Sequence, residues 1–150
     1  LLLLANAAIN VTLAPKIGRL IHKFGERRSL IFEYVGLAFI FVGYAVVESS
    51  TFAVFLYIAD HIFFSIAIAL KTYFQKIADP ADIASSAGVS FSINHIAAVF
   101  IPVIFGLIWL YSPSLVFLAG AGMAVLSLFL ALNMPAKPSA GNEVLLGKFT

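Results

Sequence analysis

The sequence predicts an all-α bundle of about five membrane-spanning helices, and three observations lead there. Of the 150 residues, 62% are hydrophobic and only 11% are charged; soluble domains are about half apolar and a quarter charged. The stretch Ile83–Ala136 contains no Asp, Glu, Lys or Arg and is about twice too long for one crossing. The apolar runs are continuous and lack period-2 alternation. Since only helices and closed barrels satisfy their backbone in lipid, the runs are helices. This composition excludes a soluble enzyme. It also excludes a nucleic-acid binder, because the few basic residues sit where membrane loops place them. The chain has no Cys, so disulfides, thiolate metal sites and cysteine nucleophiles are ruled out.

The elements follow in order. Residues 1–14 form the first span. The chain opens on four Leu without a basic region before them, which is unlike a signal peptide and predicts a fragment cut within a hydrophobic helix. Pro15 is expected to close this span. Residues 30–47 form the second span, and residues 51–72 the third, interrupted by Asp60 and His61. The long uncharged stretch divides at Tyr111-Ser112-Pro113-Ser114 into spans 88–110 and 115–134. Residues 135–150 read as a disordered tail. The link from Lys76 to Ala87, with Asp79-Pro80 inside it, has room for a short surface helix. Gly36 with Gly43, and Gly120 with Ala124, have the spacing of close helix packing.

If the five spans alternate, all nine Lys and Arg fall on one side. The positive-inside rule makes that side cytoplasmic, with the tail on it. The expected location is an integral membrane protein of bacterial inner-membrane type, whose bulk partner is the lipid bilayer.

Ionisable groups at membrane depth cost at least about 2.5 kcal/mol and face a cavity or a partner. Asp60 is the clearest case, with His61 beside it. Three readings of Asp60 stand: a proton- or substrate-binding carboxylate, an outer gate, or a carboxyl bonded to a neighbouring helix. Lys71 shares its helical face but lies about 16 Å away along the axis, too far to pair. The fourth span carries a stripe of Ser86, Ser90 and Asn94, with His95 adjacent and Pro102 and Gly106 beyond. At the level of His95 the first span offers Asn6 and Asn10. A polar inner chamber of Asn6, Asn10, Asn94 and His95 competes with plain interhelical hydrogen bonding. Helix arithmetic sets Asp60 nearer the outer face and His95 nearer the inner one. Glu33, one turn inside the second span, is expected to pair with a loop cation such as Arg28. The three His are scattered and predict neither a metal site nor a bound cofactor.

The most specific string is Gly18-Arg19-Leu20-Ile21-His22-Lys23-Phe24-Gly25-Glu26-Arg27-Arg28. Its two glycines suit turns and close backbone approach, and its four cations, with Lys16 just before them, suit the headgroup layer. It resembles the cytoplasmic loop signature of the major facilitator superfamily, G-x-L-x-D-R-x-G-R-[RK]. His22 stands where the family has Asp, and Glu26 at a basic position, as in the degraded second copy of that signature. The resemblance implies a chain running from the end of the eighth helix through the twelfth, within the C-terminal six-helix half of the fold. It further implies alternating access, a small-molecule substrate, ion (proton) coupling by symport or antiport, and missing N-terminal helices as partner. Gly18, Arg19, His22, Lys23, Gly25, Arg27 and Arg28 then form a gating loop. Without the resemblance, two other classes remain: an intramembrane enzyme using Asp60, His61 and His95, or a non-catalytic membrane scaffold.

Overall fold

The computed structural model describes residues 2–146, with side chains described for Ala7 and from Val11 onward. The helices are α1 Leu2–Phe24, α2 Glu26–Val46, α3 Ser50–Phe64, α4 Ile68–Ile77, α5 Ile83–Tyr111 and α6 Pro113–Leu132, with a 3₁₀ segment Ser65–Ala67 joining α3 to α4. Among the described residues, four stretches are long and apolar enough to cross a membrane: Glu26–Val46, Ser50–Ile77, Ile83–Tyr111 and Pro113–Leu132. The chain is an all-α bundle of membrane helices.

The bundle is built around α2, which packs antiparallel to α3–α4 on one side and to α6 on the other. Small residues make both contacts close. Gly43 faces Leu56 and Gly36 faces Phe63 across the α2–α3 seam, while Gly120 of α6 faces Phe41. A Cβ at Gly36 would fall inside contact distance of the Phe63 ring, so glycine there sets how near the two backbones come. The seam between α2 and α6 is further tied by a Tyr44–Phe117 stack, with ring centroids 5.0 Å apart. At the end of the bundle away from the basic residues, Ser114 Oγ donates to the Ala45 carbonyl at 2.8 Å. At the basic end, Ile17 and Ile21 of α1, Leu30, Ile66, Ala69, Tyr73, Ala131 and Met134 form the buried core. Helix α5 packs on α6 and has no buried residue. On α2, Phe39 (75% exposed) and Val46 (74% exposed) point outward from the bundle.

Several expectations are corrected. Pro15 does not close α1, which runs through it to Phe24. A proline removes one intrahelical donor, and Ile17 and Ile21, buried in the core beyond it, keep the helix going. The basic segment is therefore mostly helix, and the turn is concentrated at Gly25, whose φ is +83°. Gly18 lies inside α1 with a helical backbone and open space around it. Helix α2 starts at Glu26, so Glu33 lies two turns inside it rather than one.

Between α4 and α5 there is no separate surface helix. Ala81 N–H donates to Asp79 Oδ1 at 2.9 Å, an Asx turn around Pro80, and α5 begins at Ile83. The tail through residue 146 is ordered against the bundle, because Asn133 gives it anchor points. Leu145 N–H donates to the Asn133 carbonyl at 2.8 Å, Leu146 N–H to Asn133 Oδ1 at 2.8 Å, and Tyr73 OH to the Glu143 carbonyl.

Candidate functional site

Two acids lie at membrane depth, Glu33 on α2 and Asp60 on α3. Pairing of Gly43 with Leu56 and of Gly36 with Phe63 sets an antiparallel register that places Asp60 level with Phe39 and Glu33 level with Ile66. The two carboxyls are thus about 9 Å apart along the seam. At the level of Glu33 the span tightens to the 3₁₀ turn Ser65–Ala67. Ser65 Oγ donates to the His61 carbonyl at 2.7 Å, taking an acceptor of the helical ladder as Ser can.

Asp60 is half-buried. His61 Nδ1 lies 3.7 Å from its Oδ2 and 2.9 Å from the Tyr57 carbonyl. A carbonyl only accepts, so this bond fixes the proton on Nδ1 and leaves Nε2 as the open nitrogen. The His61 and Tyr57 rings meet at a tilt of 48° with centroids 4.2 Å apart. The Tyr44 phenol of α2 lies within electrostatic reach of Asp60.

Glu33 departs from the expected pair with Arg28. It is 2% exposed, its Oε2 has no hydrogen-bond partner, and Arg28 points outward on another face. The periodicity of α2 explains this. Leu30, Glu33, Leu37 and Ile40 form one buried stripe at i, i+3, i+7, i+10, which carries Glu33 into the junction of α2 with α6 and the 3₁₀ turn. Helix α6, packed against this stripe, contributes no ionisable side chain. The signal was legible in that spacing; treating Glu33 as a residue of the helix end hid it.

The other predicted residues lie elsewhere. Asn94 and His95 stand exposed on α5, with His95 Nδ1 donating to the Phe91 carbonyl at 2.9 Å. The structure does not bring them to Asp60 and His61. The side chains of Asn6 and Asn10 lie outside the described residues, so the inner chamber they were expected to share with Asn94 and His95 lies outside them as well. Among the described residues no three His, Asp or Glu side chains converge as a metal site would require.

The basic segment divides into residues tied to the bundle and residues free of it. Lys76 of α4 and the buried Glu26 of α2 form an ion pair at 2.6 Å. Arg27 Nη2 donates to the Leu132 carbonyl at the end of α6 at 3.0 Å, as suits a cation at a helix C-terminus. Ser29 Oγ donates to the Gly25 carbonyl at 2.9 Å. Arg19 Nε reaches back to the Pro15 carbonyl at 3.4 Å, Lys23 lies over the Phe24 ring at 5.5 Å, and His22 and Arg28 are exposed. Glu26, Arg27 and Lys76 thereby join α2, α4 and α6 at the basic end. The Glu26–Lys76 pair had no signal in sequence spacing, since its partners are brought together only by the α2–α4 register. No family model, curated protein or solved structure matches this chain.

Proposed function

We propose that this chain is part of a secondary active transporter that moves a small solute by alternating access with proton coupling. It lies in a membrane of bacterial inner-membrane type, with the basic end cytoplasmic. The observation that supports this most is the pair of carboxyls at membrane depth, Asp60 half-buried on α3 and Glu33 buried on α2 with its Oε2 unpartnered, beside the 3₁₀ turn that interrupts the span α3–α4. Acids at membrane depth are costly, and where they persist facing a bundle interior they mark ion or substrate paths. A 3₁₀ turn within a span is a common hinge, and transporters place their coupling groups beside such interruptions. The glycine and cation pattern of Gly18–Arg28 supports the same reading through its resemblance to the major facilitator signature.

In this mechanism Asp60 takes and releases a proton, and His61, with Nε2 open, relays it. The seam tightens or opens at the 3₁₀ turn as the bundle rocks. The test is solute-evoked proton movement. The intact protein is reconstituted in liposomes loaded with a pH-sensitive dye and challenged with a panel of sugars, amino acids, carboxylates and organic cations. At least one class is expected to shift the lumenal pH, and protein-free liposomes are expected not to. Silence across the panel, with no solute accumulated, contradicts the proposal.

A further inference from the structure

The cations of the basic end are not equivalent. Arg27 and Lys76 are spent on the bundle, one on the Leu132 carbonyl and the other on Glu26. Arg28 is exposed and, among the described residues, lies within ion-pair distance of no carboxylate. It lines a crevice of about 280 Å³ between α1 and α2, whose other walls are Leu20, Phe24, Ser29 and Phe32. Lys23 Nζ stands 5.5 Å over the ring of Phe24, one of these walls. Apart from the Arg28 head and the Ser29 hydroxyl, the lining is aliphatic or aromatic.

Below this crevice α2 continues with Phe32, Val35 and Phe39, all exposed. With Arg28 they fall at i, i+4, i+7, i+11 and form one stripe down the helix. A cation at the basic boundary followed by an unbroken apolar track has the form of one molecule: a charged phosphate head with acyl chains running along the helix. Clefts between membrane helices lined by basic residues recognise anionic head groups in this way. A further protein helix is a poorer occupant, because it would bury Arg28 without a visible counter-charge.

We infer that the α1–α2 crevice is a binding site for one anionic phospholipid, with its phosphate on Arg28 and Lys23 and its chains along Phe32, Val35 and Phe39. The site borders the α2–α3 seam through Phe32, whose ring centroid lies 5.1 Å from that of Phe63, but it uses neither Asp60 nor Glu33 and so does not depend on the transport reading.

The single Trp of the chain makes a direct test available. Trp109→Phe, with Phe also replacing any Trp of the intact protein outside these residues, clears the background, and Phe32→Trp puts a reporter in the crevice. Its fluorescence is then quenched in bilayers by brominated phosphatidylglycerol or brominated phosphatidylcholine at equal mole fraction. The expected result is a preference for phosphatidylglycerol of about fivefold at position 32, lost in Arg28→Gln and kept in Arg28→Lys and Arg19→Gln. No preference, or a preference indifferent to Arg28→Gln, overturns the site. Equal loss in Arg19→Gln also overturns it, since the attraction would then be the diffuse field of the basic surface. A reporter that neither lipid quenches overturns it too, because a protein segment then covers the crevice. Circular dichroism of each variant, expected to match the parent, guards against misfolding; Arg28 is exposed and makes no bond within the bundle.

Discussion

A single Cβ decides how close two membrane helices come, and the glycines here separate into two kinds. Gly36 has no room for a methyl group against Phe63, whereas Gly122 has open space around it. Gly36→Ala is therefore expected to destabilise the bundle by about 1–3 kcal/mol through overpacking, while Gly122→Ala changes stability by less than about 0.5 kcal/mol. Denaturant unfolding of the two variants in detergent micelles checks this, and equal stability would refute it. Gly25 is a different case, since its constraint is backbone conformation. At φ +83° with nothing near its missing side chain, Gly25→Val is opposed by the dihedral angle and not by packing. It should reduce transport by the intact protein at unchanged abundance. Normal transport kinetics would return the basic segment to a simple charge anchor.

At the scale of elements, the ion pair Glu26–Lys76 joins α2 to α4 at the basic end. Glu26 is 5% exposed but Lys76 is half in solvent, so the pair is worth less than a fully buried one. Lys76→Met leaves the carboxylate buried without its cation and should cost about 1–3 kcal/mol. The double variant Glu26→Gln with Lys76→Met should recover part of that loss. A double-mutant cycle read by thermal unfolding measures the coupling, and purely additive losses would show the pair to be ornamental.

The elements also show what was legible in the sequence. The apolar runs and the charge-free stretch located the spans, because lipid demands length and apolarity of any crossing segment. Their ends were less legible. Pro15 looked like a terminator because local propensity is read before packing, and the burial of Ile17 and Ile21 outweighed it. The 3₁₀ turn at Ser65–Ala67 had no signal beyond a serine four residues after His61. Of the site, Asp60 and His61 were visible as charge inside an apolar run. Glu33 needed the face of α2 as well as its position, and the Glu26–Lys76 pair needed the tertiary register.

For the whole molecule, the alternation of spans puts residues 16–28, 76–87 and the tail at one end, and residues 48–50 and 112–114 at the other. With no Cys in residues 1–150, single-cysteine labelling by an impermeant reagent, in a background cleared of any Cys elsewhere in the protein, reads this directly. A cysteine at position 49 is expected to label from outside intact cells, and one at position 82 only after the membrane is opened. Outside labelling at position 82 would invert or break the topology.

The central claim is that a carboxyl in the α2–α3 seam couples a proton to solute movement, and uphill uptake measured beside counterflow tests it most directly. Asp60→Asn keeps the shape and hydrogen bonding of the side chain but removes its capacity to exchange a proton. Using a solute that moves protons in the liposome assay, the variant is expected to fold, to retain counterflow within about twofold, and to lose uphill accumulation by about tenfold or more, within the range of a lost acid–base group. Full uphill accumulation in Asp60→Asn, with unchanged dependence on the proton gradient, would contradict the account and leave Asp60 a structural contact between helices.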